Sequence, residues 1–327
     1  MRTHMDAMSF SLDPSASIAE ELKRTAAEQI ERARAELSDE AEDRHEAVHL
    51  ARKRFKKIRG LLRLARPGLG EDYAIENARW RDIARELSVI RDATALLETH
   101  DALTSHFGDR IEDGILYSTR QRLDERRAEM TDKVTDLDAR IEATMKALDA
   151  GEKRLDELSF PDDFETVAEG FAKTYKRLDK GYRKAQTAED SAVFHDWRKR
   201  AKYHWVHLKL LRRIWPEPMK ARRDEAKALA DILGDEHDLA VYRGTLIEEP
   251  KLFGKKKVQE LLLALLDRRQ SELRSAALDI GAKLCAESPD ALAARMTSYW
   301  EAAVEEAQKP RAHLATSAAE DERAENS

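Results

Sequence analysis

The sequence predicts an all-α protein built from two copies of one helical unit, and three observations carry that reading. Ala, Leu, Glu and Arg dominate, while Gly and Pro are scarce, at 12 and 8 of 327 residues. Such a composition offers few helix breakers. No stretch shows the sustained β-branched alternation of a half-buried strand. A basic segment is also written twice: His49-Leu50-Ala51-Arg52-Lys53-Arg54-Phe55-Lys56 returns as His195-Asp196-Trp197-Arg198-Lys199-Arg200-Ala201-Lys202, each basic match displaced by 146 positions. The offset continues through Arg63 and Lys209, Arg66 and Arg212, Leu87 and Leu233, and Asp92 and Asp238. About fifty residues of each half therefore correspond.

Residues 1–14 read as an N-terminal extension ending at Asp13-Pro14-Ser15, and 15–158 as the first helical bundle. Phe160-Pro161-Asp162-Asp163 opens the second, 159–307. Further breaks fall at Arg66-Pro67-Gly68, Phe107-Gly108-Asp109, Trp215-Pro216-Glu217-Pro218, Glu249-Pro250 and Ser288-Pro289, leaving about four helices per half. Two antiparallel four-helix bundles related by a pseudo-twofold axis would bury the apolar stripes. The tail, 308–327, is polar and proline-broken, and is expected to be disordered.

In the stripe helix, Val48, Ala51, Phe55, Ile58, Leu62 and Ala65 share one face at 100° per residue, and His49, Arg52, Lys56 and Arg63 share another. The second copy keeps the phase, with Phe194, Trp197, Ala201, Leu208 and Leu211 toward the core and His195, Arg198, Lys202 and Lys209 on the charged stripe. From Arg52 to Arg66 the cations Lys53, Arg54, Lys56, Lys57, Arg59 and Arg63 follow one another with no intervening acid. Surface helices usually gain from acidic partners four residues away, and this one forgoes them. The chain as a whole is acidic, with 58 Lys and Arg against 64 Asp and Glu. Cations segregated at a repeated phase point to a polyanion site.

The next helix of each unit carries Arg81, Arg85 and Ser88 on one face, then Arg91-Asp92. That face is expected to stand across from the first stripe, giving a channel with cations on both walls. Lys227 takes the place of Arg81 and His237 that of Arg91, while Asp231 replaces Arg85. Asp92 and Asp238 are expected to orient a neighbouring Arg or His.

Other chemistry is disfavoured. His45-Glu46-Ala47-Val48-His49 matches the H-E-x-x-H zinc pattern, but the second copy reads Ser191-Ala192-Val193-Phe194-His195, and dense cations follow where a dication would bind. His204 and His207 phase with Leu208 and Leu211 toward the core, and no phosphate-binding loop occurs. Cys285 cannot form an internal disulfide and reads as packing. Met1 to Phe10 lacks a signal-peptide stretch and no apolar run approaches a membrane span, so a cytoplasmic, membrane-free setting is expected.

These residues resemble the CHAD family, the conserved histidine α-helical domain. The resemblance rests on Ala47 to Arg59 with Leu61-Leu62-Arg63-Leu64, then Glu76-Asn77, Arg81-Asp82, Leu87-Ser88 and Arg91-Asp92. In the second half it rests on Phe194 to Tyr203 and Leu233 to Ala240. It implies two four-helix bundles around a basic central groove or pore that binds inorganic polyphosphate without hydrolysing it, at polyphosphate granules. No E-x-E-x-K run or strand-rich segment accompanies it, as in a standalone member. Leu50, and Trp205-Val206 where the first copy has Arg59-Gly60, depart from the pattern.

The polyphosphate-binding set on this reading is His49, Arg52, Lys53, Lys56, Arg59, Arg63, Arg81, Arg85, Arg91, His195, Arg198, Lys199, Lys202, Lys209 and Lys227. Arg52, Arg63 and Arg198 would fork onto phosphoryl oxygens, the lysines would neutralise as point charges, and His49 and His195 would donate a ring N–H. His49 to Arg66 lays charge along about 25 Å of helix, suiting a linear polyanion. No cofactor, metal or catalysis is expected. Nucleic acid is the principal alternative, weakened because aromatics are 6% of the chain and few are placed to stack on bases. A metal-dependent phosphohydrolase and a scaffold for an acidic protein are the others.

Overall fold

The computed structural model describes residues 10–39, 44–87, 91–108, 114–132 and 136–309, without the side chains at 45, 91–93, 131 and 132. The His45 side chain of the zinc-like pattern, Ser88, the Arg91 and Asp92 side chains, and the tail from 310 therefore lie outside what is described. Among those described there are twelve α-helices and no strand. They are α1 Ile18–Ser38, α2 Arg44–Leu64, α3 Arg66–Leu69, α4 Asp72–Glu86, α5 Arg91–Phe107, α6 Tyr117–Asp132, α7 Leu137–Glu157, α8 Phe164–Ala185, α9 Ser191–Leu210, α10 Pro216–Glu248, α11 Lys256–Leu284 and α12 Pro289–Gln308. No described helix is long and apolar enough to cross a membrane.

The 146-residue offset carries α1 onto α8, α2 onto α9, α4 and α5 onto the two halves of α10, α6 onto α11 and α7 onto α12. The duplication thus extends over nearly the whole fold. Helix starts follow local chemistry. Asp163 Oδ1 accepts from Thr166 N at 2.7 Å, and Asp190 Oδ1 accepts from Ala192 N at 2.8 Å, each satisfying an otherwise orphaned donor. Ser17 Oγ caps α1 and donates to Asp162 at 2.8 Å, tying the first repeat to the inter-repeat segment. Pro216, expected as a break, opens α10 within its first turn, where a missing N–H removes no helical bond.

In the first repeat α1 packs on α2, α2 on α4, α4 on α7, and α7 back on α1. In the second, α8, α9, α10 and α11 close a similar ring, with α12 against α8. The apolar cores do not divide at residue 158. One joins Phe55, Trp80 and Leu148 to Phe171, Trp197 and Leu229. The other joins Leu97, Leu103 and Phe107 of α5 to Leu239 and Tyr242 of α10 and Leu262 and Leu266 of α11. The repeats are interlocked, because each core takes apolar faces from both. Burying such a side chain contributes about 1.5–3 kcal/mol, so neither half has a complete core of its own. The 33-residue α10 enters both, through Leu233 on one side and Leu239 on the other. Asp235 to Asp238 lie at the seam.

Helices α2 and α9 meet at the centre. Lys57 and Lys209 approach the same Phe10 ring, Gly60 meets Val206, and Arg63 lies over Tyr203. Residue numbers rise along one helix as they fall along the other, so the two cross antiparallel. His207 sits beside this crossing, its Nε2–H donating to Gly60 O at 3.0 Å. His204 and His207 are both fully buried, in line with their core phase. Cys285 is buried too, its thiol pushed up to about 12 chiefly by burial, which suits packing rather than reactivity.

Candidate polyanion-binding site

Arg52 and Lys56 of α2 and Arg198 and Lys202 of α9 line one cavity of 480 Å³. The two pairs hold the same positions in their repeats. Opposite them, α5 presents Ala95, Leu96, Glu98, Thr99, Ala102 and Leu103. Helix α10 adds Asp235, His237, Asp238, Leu239 and Val241, and α11 adds Arg269 and Leu273. Five permanent cations therefore face three carboxylates, and the lining keeps an excess of positive charge despite the acidic chain. The cavity lies at the seam of the two cores, where α10 passes from one to the other.

A backbone contact fixes Arg52. An Arg52 guanidinium N–H donates to Ala84 O, in the last turn of α4, where carbonyls lack helical partners and the dipole favours a cation. Arg198 runs beside Gly234, its Nε 3.8 Å from where a Cβ would stand. Next to His237, the fully buried Glu236 is held by Arg274, with Nη2 at 2.7 Å and Nε at 3.0 Å, and by Ser191 Oγ at 3.1 Å. This network pins α10 to α9 and α11.

The rings of His195 and His237 lie 4.0 Å apart, inclined at 34°. Burial is the main cause that pushes His237 down to about 4, aided by His195, Arg198, Lys202 and Lys199. His195 is lowered by burial and then by Lys199 and Arg198, against the opposing pull of Asp196. Both rings are thus neutral near pH 7, each with one N–H to donate. Burial, and then Asp238, raises the Asp235 carboxyl, while Arg269 opposes the shift.

Several residues of the sequence-derived set lie elsewhere. Arg59 and Arg63 share Asn77 Oδ1 at 3.2 and 3.4 Å, and Arg63 stacks 4.1 Å over the Tyr203 ring. Arg81 makes a forked pair with Asp82 at 2.9 and 3.0 Å, and Arg85 lies 3.5 Å from the same carboxylate. Both arginines are exposed. Lys227 pairs with Asp231 at 2.6 Å. The expected second cationic wall from α4 is therefore not formed, because these side chains point to solvent and meet acids on their own helix. The facing wall comes from α5 instead. Lys53 and Lys199 are exposed, Lys199 lying 3.9 Å from Asp196. His49 is half-buried, one turn before Arg52, and does not line the cavity. Lys209 lies 5.9 Å from both the Phe10 and Trp205 rings.

The duplication also hid three cavity residues. Arg269 has Leu123 as its counterpart, so no repeated charge marked it. Glu98 has Gly244 and Asp235 has Val89 as counterparts, so no repeated charge marked them either. The unbroken run of cations in α2 is itself partly neutralised from outside, since Glu36 of α1 accepts from Arg54 Nε at 2.9 Å. Among the described residues no group of three or more His, Cys, Asp and Glu is placed to hold a metal ion. The arrangement provides an excess of fixed positive charge, neutral imidazole donors and an opposite wall that is mainly apolar apart from Glu98 and Thr99, which together suit a bound anion.

The crystal structure of the CHAD domain from the plant Ricinus communis superposes with a TM-score of 0.63 at 18% identity, covering 84% of this chain and 95% of that one. At that identity the match establishes the fold alone. No curated protein sequence matches the chain. The CHAD domain family model matches residues 24–247, from within α1 almost to the end of α10 and across both basic helices. With more than half its length under that match, and with the same fold as a solved CHAD domain, the chain belongs to the CHAD domain family.

Proposed function

We propose that this protein binds inorganic polyphosphate, without catalysis, in the cavity between its repeats. The observation that carries the reading is the convergence of Arg52 and Lys56 with Arg198 and Lys202 on one 480 Å³ space. The family itself is associated with polyphosphate binding. Polyphosphate carries about one charge per unit and no bases to read, so paired cations on two helices match it without aromatic stacking. The arginines fork onto phosphoryl oxygens, the lysines neutralise, and His195 and His237 donate ring N–H groups. On this reading the protein resides in the cytoplasm and is recruited to polyphosphate granules.

The nucleic-acid reading is separated by competition at matched salt. Polyphosphate of defined length is expected to displace single-stranded DNA from the protein at equal phosphate concentration. Displacement of polyphosphate by DNA instead would overturn the proposal. Polyphosphate chain length should stay constant on prolonged incubation, with or without a chelator. Chelator-sensitive shortening would establish a hydrolase.

A further inference from the structure

The pseudo-twofold axis offers an internal control, because each side of the α2–α9 crossing can be compared with the other. On one side two arginines are satisfied by aromatic faces and an amide. Arg63 lies 4.1 Å from the Tyr203 ring centroid, Arg66 lies 4.8 Å from that of Tyr73, and Asn77 Oδ1 accepts from Arg63. On the other side the same positions hold different chemistry. Lys209 stands for Arg63 and Arg212 for Arg66, but Lys57 replaces Tyr203, Met219 replaces Tyr73 and Arg223 replaces Asn77. Two groups that could soften positive charge have become cations.

Lys57 and Lys209 are half-buried and straddle one ring, with Nζ atoms 5.2 and 5.9 Å from the Phe10 centroid. Neither has a carboxylate within ion-pair distance among the described residues. The nearby acids are engaged, Glu36 by Arg54, Glu28 by Arg24 and Arg32, and Asp13 by Arg213. Burial and the neighbouring Arg54, Lys209 and Arg32 push the Lys57 ammonium down to about 7 against the opposing pull of Glu36, and Lys209 is lowered by burial and by Arg212, Arg223, Arg54 and Arg32. Two half-buried ammoniums held together with no directly paired carboxylate among the described residues are costly, and the fold retains them where its own other half has aromatic rings and an amide. Neither Lys57 nor Lys209 lines the central cavity.

We propose that Lys57 and Lys209, with Arg212 beside them, form a second anion site that takes a phosphoryl group. Arg223 lies nearby but is held by Asp224 at 3.0 Å. The ligand chemistry is that of a compact phosphate oxyanion, either free phosphate or pyrophosphate or one unit of a longer chain. Phe10 supplies the floor, since its ring face attracts both ammoniums but cannot neutralise them.

The test is calorimetric titration with pyrophosphate of wild type, Lys57→Met with Lys209→Met, and Lys57→Arg with Lys209→Arg, all checked for helical content. Wild type is expected to take up two equivalents, one in the cavity and one at this cluster. The methionine pair should take up one, and the arginine pair two. Should the cavity not bind anions, wild type would take up one equivalent and the methionine pair none, so failure of the polyphosphate reading is distinguishable. Identical stoichiometry in wild type and the methionine pair would overturn the second site, and a raised melting temperature alongside it would mark the lysines as internal repulsion alone. Polyphosphate of defined length then separates the sources. A tenfold or greater loss in the methionine pair assigns the site to the chain, and an unchanged affinity together with the lost pyrophosphate equivalent assigns it to free phosphate.

Discussion

Gly60 packs against Val206, its own counterpart in the other repeat, so closely that a Cβ on Gly60 would come within 2.4 Å of Val206 Cγ1. At an axis of twofold symmetry a residue meets its equivalent, and two side chains of equal size would compete for one space. The chain resolves this by making one of them glycine. The contact also brings Gly60 O to His207, and it sets how closely the two stripe helices approach.

Gly60→Ala should therefore destabilise the fold by about 1–3 kcal/mol through overpacking. Val206→Ala in the same chain should restore much of the loss. A double-mutant cycle by denaturant unfolding checks this, and additivity within about 0.5 kcal/mol would show that the two residues do not share the space.

Acid should unfold the protein through its buried imidazoles. Burial holds His204 well below its ordinary value, and burial together with Arg63 pushes His207 down to about 3 against the hydrogen bond to Gly60 O. The unfolded chain binds these protons at about 6.5 and the folded chain does not. For His207 stability is full above pH 6.5 and falls as the pH drops toward 3, by roughly 1 kcal/mol per pH unit, and His204 adds to the fall in the same direction. His207→Gln, which keeps a donor for Gly60 O, should flatten urea midpoints measured across that window. An unchanged pH slope would remove His207 from the account.

Binding should take up protons. A bound polyanion offsets the charges of Arg198, Lys202 and Lys199 that help hold His237 down to about 4, so its pKa must rise. Affinity is expected to increase as pH falls from 7 to 5. Calorimetry in buffers of different ionisation enthalpy measures the uptake, and His237→Asn should reduce it. No buffer dependence at pH 5.5 would contradict a role for the histidine pair.

Much of this was legible in the sequence because the duplication preserved phase. The positions of Phe55, Trp197 and Leu208 in the core, and the pairing of Arg52 and Lys56 with Arg198 and Lys202, follow from a 3.6-residue period read twice. How the helices outside the two stripes pack was not legible. Interlocking of the cores depends on long-range packing of α5 with α10 and α11, which no local period encodes. Arg81 and Arg85 looked like a cavity wall because their phase is shared, yet Asp82 lies beside them and the helix turns that face to solvent. Arg269 could not be found by repetition, since Leu123 stands at its equivalent.

On the polyphosphate reading, cations from both repeats act on one linear polyanion. Calorimetric titration with polyphosphate of defined length, across salt from 50 to 200 mM as a rough range for screening phosphate contacts, tests it most directly in wild type and in Lys56→Glu with Lys202→Glu. The account predicts that log affinity falls steeply with log salt in wild type, and that the double reversal abolishes binding while leaving helical content intact. Equal affinity of the two proteins, or a wild-type salt slope near zero, would contradict it.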